Sequence, residues 1–126
     1  MNMENIGIDL VEIKKIKKIG KDILAARVLS SEEYQIYQTI QNPQRQLTFL
    51  AGRWASKEAL FKAFQTPSKI NPTCQNYYNW SIINDKNGAP YVKNNTCDNF
   101  FIPILISITH TDNYALSLVI VKKLSQ

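Results

Sequence analysis

Two carboxylates and a lysine stand in segments that are otherwise apolar. Asp9 lies in GIDLVEI (7–13), and Glu58 and Lys62 lie in RWASKEALFKAF (53–64). An unpaired buried carboxylate is costly, so Asp9 should be paired, hydrogen-bonded or bound to a metal. Two carboxylates from separate elements of a basic chain suit Mg²⁺, which leaves its other positions to water and substrate phosphate. The alternative for Asp9 is a helix cap or an ion pair with a lysine of the following helix.

The helix side that carries Glu58 and Lys62 also carries small residues. On a wheel of about 100° per residue, Ala51 and Ala55 share that side. Small side chains allow another element to approach closely, which predicts that the two charges face a cleft or an interface. The alternative is an exposed Glu–Lys pair one turn apart, which contributes only a few tenths of a kcal/mol.

Four further polar residues are candidates for holding an anion. Arg53 and Lys57 lie on another sector of the helix from Glu58, so we expect them to contact a different part of a ligand or a neighbouring subunit. Ordinary solvated charge is the alternative. His110 and Thr111 stand at the end of an apolar strand, where they suit a phosphate or base contact. A lone histidine is, however, more often structural.

A dense row of lysines surrounds an apolar stripe near the N-terminus. Ile13, Ile16 and Ile19 recur at a three-residue step, which predicts a helix with a basic outer face. Such a face is most simply solvated, but its charge density suffices to recruit an acidic partner. The lysines concerned are Lys14, Lys15, Lys17, Lys18 and Lys21.

Composition narrows the class of protein. The 126 residues suit one domain, and the net charge of +5 favours an anionic partner. The first residues lack the pattern of a signal peptide, and the most apolar tract is too short to span a bilayer. Two isolated cysteines and one histidine argue for reduced thiols in a cytoplasm and against a zinc site.

The order of elements predicts an α+β fold with a mainly antiparallel sheet. A buried strand comes first and three helices follow it. Gly20 interrupts the first helix, and Ser30 or Ser31 caps the second. The third helix follows the break at Asn42-Pro43. Two strands joined as a hairpin end the chain. The predicted strands span 5–13, 77–85, 89–93, 102–110 and 114–124, and the third helix spans 44–64.

Three segments resemble, in order and spacing, the motifs of the holo-[acyl-carrier-protein] synthase family, the small bacterial 4′-phosphopantetheinyl transferases. They are GIDLVEI, FLAGRWASKEALFKAF and SITHTDNYALSLVI, and the resemblance continues through ARVLSSEE and DKNGAPYV. The first motif is weak alone, the second is quite specific, and the ordered set is strong. The resemblance spans nearly the whole chain, which we therefore interpret as a single domain, 1–126, with the transferase fold.

The resemblance implies transfer of the 4′-phosphopantetheine arm of coenzyme A to a serine of apo-acyl carrier protein, which supports fatty acid biosynthesis. Adenosine 3′,5′-bisphosphate is the other product. By the family pattern, Asp9 and Glu58 would hold Mg²⁺ against the pyrophosphate, and Lys62 would neutralise charge on the transferred phosphoryl group. Glu58, or a water held on the metal, is the candidate base for the serine proton.

The resemblance also assigns the remaining candidates. Arg53, His110 and Thr111 match positions that bind the adenosine 3′-phosphate end, and we place Lys57 with them because it shares the sector of Arg53. The family generally forms trimers with active sites between subunits. Acidic carrier protein docks on the basic first helix, here through Lys14, Lys15, Lys18 and Lys21.

Two departures from the family pattern bear on the ligand loops. Asn5 stands where Gly-x-Gly commonly begins, and Gln65-Thr66-Pro67 replaces Gly-Thr-Gly. Proline lacks a backbone N–H, so we expect altered loop geometry or affinity rather than a different reaction.

The competing hypotheses are a non-catalytic basic module that binds nucleic acid and an inactive transferase-like scaffold. No nucleic-acid motif is recognisable, and Asp9, Glu58 and Lys62 are intact, so we expect neither nucleic acid nor membrane as partner.

Overall fold

The structure, a computed structural model, describes residues 3–65, 76–95 and 103–123. The predicted connections around Pro67 and Cys97 lie largely outside these residues. The helices are α1 (Ile13–Ile19), α2 (Lys21–Val28), α3 (Ser31–Thr39) and α4 (Pro43–Phe64), with a 3₁₀ turn at Tyr77–Asn79. The strands are β1 (Met3–Glu12), β2 (Trp80–Asn84), β3 (Pro90–Asn94), β4 (Ile104–His110) and β5 (Tyr114–Lys123). The predicted α+β class is confirmed.

The helix boundaries follow local signals. Gly20, at φ +101°, separates α1 from α2, as its position in the lysine-rich segment predicts. Ser30 caps α3 in a reciprocal capping box with Glu33, and Asn42 caps α4 with Pro43 in the first turn. Of the residues predicted as strand 77–85, the first three form the 3₁₀ turn instead, and β2 begins at Trp80.

The described strands pair in antiparallel fashion. β1 and β4 flank β5 in a three-stranded sheet, and β2 pairs with β3. The hairpin from β4 to β5 is confirmed, and its turn is closed by the Thr111 N–H donating to the Tyr114 carbonyl at 2.8 Å. No helix among residues 3–65, 76–95 and 103–123 is both long and apolar enough to cross a membrane.

One face of β1 contradicts the predicted burial. Ile6, Ile8 and Leu10 are each more than half exposed, at 57%, 53% and 60%. Their cross-strand neighbours on β5 are Ile120, Leu118 and Leu116, so an apolar row extends across the outer side of the sheet. The expectation of a strand buried on both faces is therefore wrong for the single chain. An apolar strip of this kind marks an interaction surface.

The inner face of β1 lies directly on α4. A Cβ added to Gly7 would lie 1.8 Å from the Ala59 carbonyl oxygen and 2.8 Å from the Ala63 nitrogen. Strand and helix backbones thus touch at Ala59 and Ala63, whereas the sequence predicted the close approach at Ala51 and Ala55. Asp9 follows two residues later on the same strand face and is thereby held against the helix.

We predict that Gly7→Ala lowers the free energy of unfolding by at least about 2 kcal/mol, because the added methyl group overlaps a backbone carbonyl. Gly52→Ala is the matched control. Its added Cβ would meet only the Ile108 side chain, at 3.3 Å, and alanine favours a helix interior, so the change should stay within about 1 kcal/mol. Urea unfolding at fixed protein concentration measures both, and equal losses would contradict the close-contact explanation.

Candidate active site

Asp9 and Lys62 form an ion pair across the contact between β1 and α4. The Lys62 ammonium donates to Asp9 Oδ1 at 2.9 Å and to the Ile8 carbonyl at 3.1 Å. The Asp9 side chain is 17% exposed and that of Lys62 is 55% exposed. The lysine partner proposed for Asp9 is therefore on α4 and not on the next helix in sequence. A cation held beside a carboxylate at a solvent-facing edge can also reach an anionic ligand.

Asp9 and Glu58 line the same cavity. It measures about 310 Å³, and its other lining residues are Leu10, Val11, Glu12, Lys15 and Trp54. Glu58 accepts a hydrogen bond at Oε1 from the Tyr77 hydroxyl. Asp9 accepts at Oδ1 from the Lys62 ammonium. The structure thus brings together the two carboxylates predicted from separate motifs.

The donors in this cavity fit Mg²⁺. Within the described ranges, no group of three or more His, Cys, Asp or Glu side chains could hold a metal ion. Mg²⁺ does not need such a group, because it binds through one or two carboxylates and keeps water and substrate phosphate as its other ligands. Asp9 and Glu58, two carboxylates that line one cavity, match that requirement.

Arg53 and His110 line a second cavity, of about 250 Å³, which shares no described residue with the first. Arg53 donates from Nε to the Ile82 carbonyl at 3.1 Å and from Nη2 to Asn84 at 3.2 Å, and its guanidinium lies 4.3 Å from the centre of the Phe49 ring. Burial lowers the pKa of Arg53, and the negative charge of Glu33 opposes that shift. Arg53 is thus a fixed cation and not a solvated one.

The remaining residues of this second cavity supply charge and polarity. Arg45, Thr48 and Asn84 lie in its wall, beside apolar groups from Ile40, Phe49 and Ile108. Two arginines and a histidine around one cavity suit an anion. Thr111 is not part of the wall, and its hydroxyl accepts hydrogen bonds from the Asn113 and Tyr114 N–H groups of the hairpin turn.

Lys57 is a structural cation. Its side chain has no exposed surface, and its ammonium donates to the Val28 carbonyl at 2.7 Å, Glu33 Oε1 at 2.5 Å and the Tyr77 carbonyl at 2.9 Å. Burial lowers the pKa of Lys57, and the adjacent Glu33 carboxylate opposes that shift. This placement corrects the expectation of an accessible or solvated cation, and we leave Lys57 out of the ligand site.

The basic first helix borders the Asp9–Glu58 cavity. Lys14, Lys15, Lys17 and Lys18, with Glu12, line a broad depression of about 610 Å³. Lys15 and Glu12 belong to both cavities, and the Lys15 ammonium lies 5.4 Å from the centre of the Trp54 ring. Lys21 differs from the others because it donates to Gln46 at 2.7 Å.

Sequence reasoning missed Tyr77 and Glu33, which are placed by contacts between distant parts of the chain. Tyr77 was interpreted only as part of a strand. The Glu33 carboxylate accepts from Ser30 N–H, Ile82 N–H and Lys57. The available signal for Glu33 was its position three residues after Ser30, a spacing that is typical of a capping box.

Comparison with known proteins agrees with the geometry. A family model described as the 4′-phosphopantetheinyl transferase superfamily matches residues 5–119. The chain belongs to this superfamily. The family predicted from the three motifs is therefore confirmed.

Individual members of the superfamily resemble the chain over nearly its full length. It is 89% identical to the holo-[acyl-carrier-protein] synthase of Onion yellows phytoplasma, covering 98% of each chain, and 42% identical to that of Acholeplasma laidlawii, covering 93% of this chain and 94% of the relative. The crystal structure of a Bacillus anthracis holo-(acyl-carrier-protein) synthase in complex with CoA (3′,5′-ADP) superposes with a TM-score of 0.77 at 27% identity, covering 94% of this chain and 95% of that one.

We predict that Lys57→Met lowers the free energy of unfolding by about 3–5 kcal/mol, because it leaves the Glu33 carboxylate buried without its countercharge. Lys93→Met is the matched control. Lys93 pairs with Glu32 at 3.1 Å on the surface, where both side chains are nearly half exposed, so its loss should cost less than about 1 kcal/mol. Chemical unfolding of both variants measures these free energies. A small loss of stability in Lys57→Met, similar to that of Lys93→Met, would contradict the structural role of Lys57.

Proposed function

We propose that the protein is a holo-[acyl-carrier-protein] synthase. It transfers the 4′-phosphopantetheine group of coenzyme A to a serine of apo-acyl carrier protein, giving holo-acyl carrier protein and adenosine 3′,5′-bisphosphate. The observation that carries this proposal is that Asp9 and Glu58 line one cavity, with Lys62 paired to Asp9 at 2.9 Å, in a chain that belongs to the transferase superfamily. The product supports fatty acid biosynthesis, and we propose that the enzyme acts in the cytoplasm.

Asp9, Glu58 and Lys62 would have complementary roles in phosphoryl transfer. Asp9 and Glu58 would hold Mg²⁺, which when bound neutralises charge on the coenzyme A pyrophosphate. Lys62 is placed to neutralise charge on the phosphoryl group and on the oxygen that leaves it. The serine oxygen bonds to the phosphorus, the phosphorus–oxygen bond to adenosine 3′,5′-bisphosphate breaks, and Glu58 is the candidate acceptor of the serine proton.

The second cavity suits the other end of coenzyme A. We assign the adenosine 3′-phosphate to Arg53 and His110, because the Arg53 guanidinium is a cation and the His110 ring can donate a hydrogen bond to a phosphate. Burial and two hydrogen bonds fix the Arg53 guanidinium, so little side-chain entropy is lost when an anion binds. Thr111 contributes to this site indirectly, because its hydroxyl accepts hydrogen bonds within the hairpin turn that follows His110.

We propose that the enzyme is a homotrimer whose active sites lie between subunits. In one chain the two cavities are separate, which supports a ligand bridging the Glu58 cavity of one copy and the Arg53 cavity of another. The apolar outer face of the sheet, with Ile6, Ile8 and Leu10 exposed, is the surface available for a second copy. Leu105, which is 53% exposed on β4, extends the same face opposite Ile120.

We propose that acidic carrier protein docks on α1 through Lys14, Lys15 and Lys18, with Lys21 at the start of α2. Lys14, Lys15 and Lys18 line the depression that adjoins the Asp9–Glu58 cavity, so a carrier bound there brings its serine near the proposed metal ligands. Complementary charge of this kind speeds association and makes it sensitive to salt. Nucleic acid, the alternative anionic partner, would bind without any need for coenzyme A.

We predict that the protein with coenzyme A and Mg²⁺ adds one phosphopantetheine to apo-acyl carrier protein, and that Glu58→Gln lowers turnover by about 100-fold or more. Glu32→Gln, at a surface ion pair, is the matched control and should keep full activity. Mass spectrometry of the carrier measures both. No mass gain with several carriers would contradict the proposed function, whereas full activity of Glu58→Gln would remove only Glu58 from the mechanism.

We predict that Ile8→Arg weakens association of the subunits by about 100-fold or more, because burying an unpaired charge costs about 3 kcal/mol. Ile23→Arg is the matched control, since Ile23 is similarly exposed, at 56%, but lies on α2 away from the sheet. Light scattering should give a trimer for the parent and the control and a monomer for Ile8→Arg. An unchanged trimer in Ile8→Arg would exclude this face as the interface.

A further inference from the structure

Tyr77 is joined to the candidate active site through its hydroxyl group. The hydroxyl donates a hydrogen bond to Glu58 Oε1, and the half-buried ring packs on Phe61 with ring centres 5.6 Å apart. Burial raises the pKa of Tyr77, the hydrogen bond to Glu58 adds to that shift, and a hydrogen bond with Trp54 opposes it. The contact therefore fixes one of the two oxygens of the Glu58 carboxylate.

The backbone of Tyr77 is tied to the same helix. Its carbonyl accepts from Lys57, the residue that precedes Glu58 on α4. Lys57 is in turn paired with Glu33, whose Oε2 accepts the Ile82 N–H of β2 at 2.8 Å. Tyr77 is thus held at two points, by its carbonyl and by its hydroxyl, to two consecutive residues of α4.

We propose that Tyr77 is a positioning residue that fixes the Glu58 carboxylate, through its hydroxyl hydrogen bond, in the orientation needed to bind the metal ion. A glutamate side chain has several rotatable bonds, and without a partner it loses more conformational freedom when it binds an ion. Groups that hydrogen-bond to metal ligands commonly affect metal affinity or activity by about 10–100-fold. This inference rests on the proposed role of Glu58 in the transferase.

The test compares Tyr77→Phe with Tyr78→Phe. Tyr77→Phe keeps the ring that packs on Phe61 and removes only the hydroxyl. Tyr78 is the neighbouring tyrosine, 60% exposed, and its hydroxyl accepts a hydrogen bond from Asn76 and does not contact Glu58. The measurement is the binding of Mn²⁺ in the presence of coenzyme A. The electron paramagnetic resonance signal of free Mn²⁺ reports this binding without any dependence on turnover.

We predict that Tyr77→Phe weakens Mn²⁺ binding by about tenfold or more and raises the Mg²⁺ concentration for half-maximal activity by a similar factor. Its KM for the carrier protein and its melting temperature should match those of Tyr78→Phe. Mn²⁺ binding that is equal in both variants, or absent from both, would overturn the inference, as would a Tyr77→Phe protein that fails to fold. Failure of the proposed function is distinguishable, because the parent protein itself would then transfer no phosphopantetheine.

Discussion

The candidate site depends on one packing constraint, the direct contact between the backbones of β1 and α4. Gly7 lacks the Cβ that would overlap the Ala59 carbonyl, so the strand lies closer to the helix than any larger residue would permit. Because alternate residues of a strand share a face, Asp9 is brought to the helix by the same contact. Lys62 then reaches both Asp9 and the Ile8 carbonyl. A steric requirement at a glycine therefore determines where the charges meet.

A second constraint is electrostatic and lies behind the site. Glu33 and Lys57 are both fully buried, and a buried ion pair is tolerated only when its remaining hydrogen-bonding groups are satisfied. Here they are satisfied by backbone groups of Val28, Ser30, Ile82 and Tyr77, which belong to four different parts of the chain. The pair thus joins α2, α3, α4, β2 and the 3₁₀ turn. Through the Tyr77 carbonyl, the pair also holds Tyr77 beside Glu58.

Local signals in the sequence were sufficient for most of the fold and for part of the site. Gly20, the capping Ser30 and the hairpin after His110 act through neighbouring residues, so their effects could be predicted without tertiary structure. The burial of Lys57 could not, because its acceptors lie at residues 28, 33 and 77, far apart in sequence. The exposed face of β1 was missed for a related reason. An apolar strand face has the same composition whether its own chain or another copy covers it.

The separation of the two cavities links assembly to catalysis. Arg53 and Glu58 are five residues apart on α4, which turns them by about 140° around the helix axis. Two side chains so placed face different directions, and in this chain they line cavities that share no described residue. A coenzyme A molecule held by both kinds of residue is most simply shared between two copies in the proposed trimer. The apolar face of β1 would then have a catalytic consequence, since covering it would also complete the binding site.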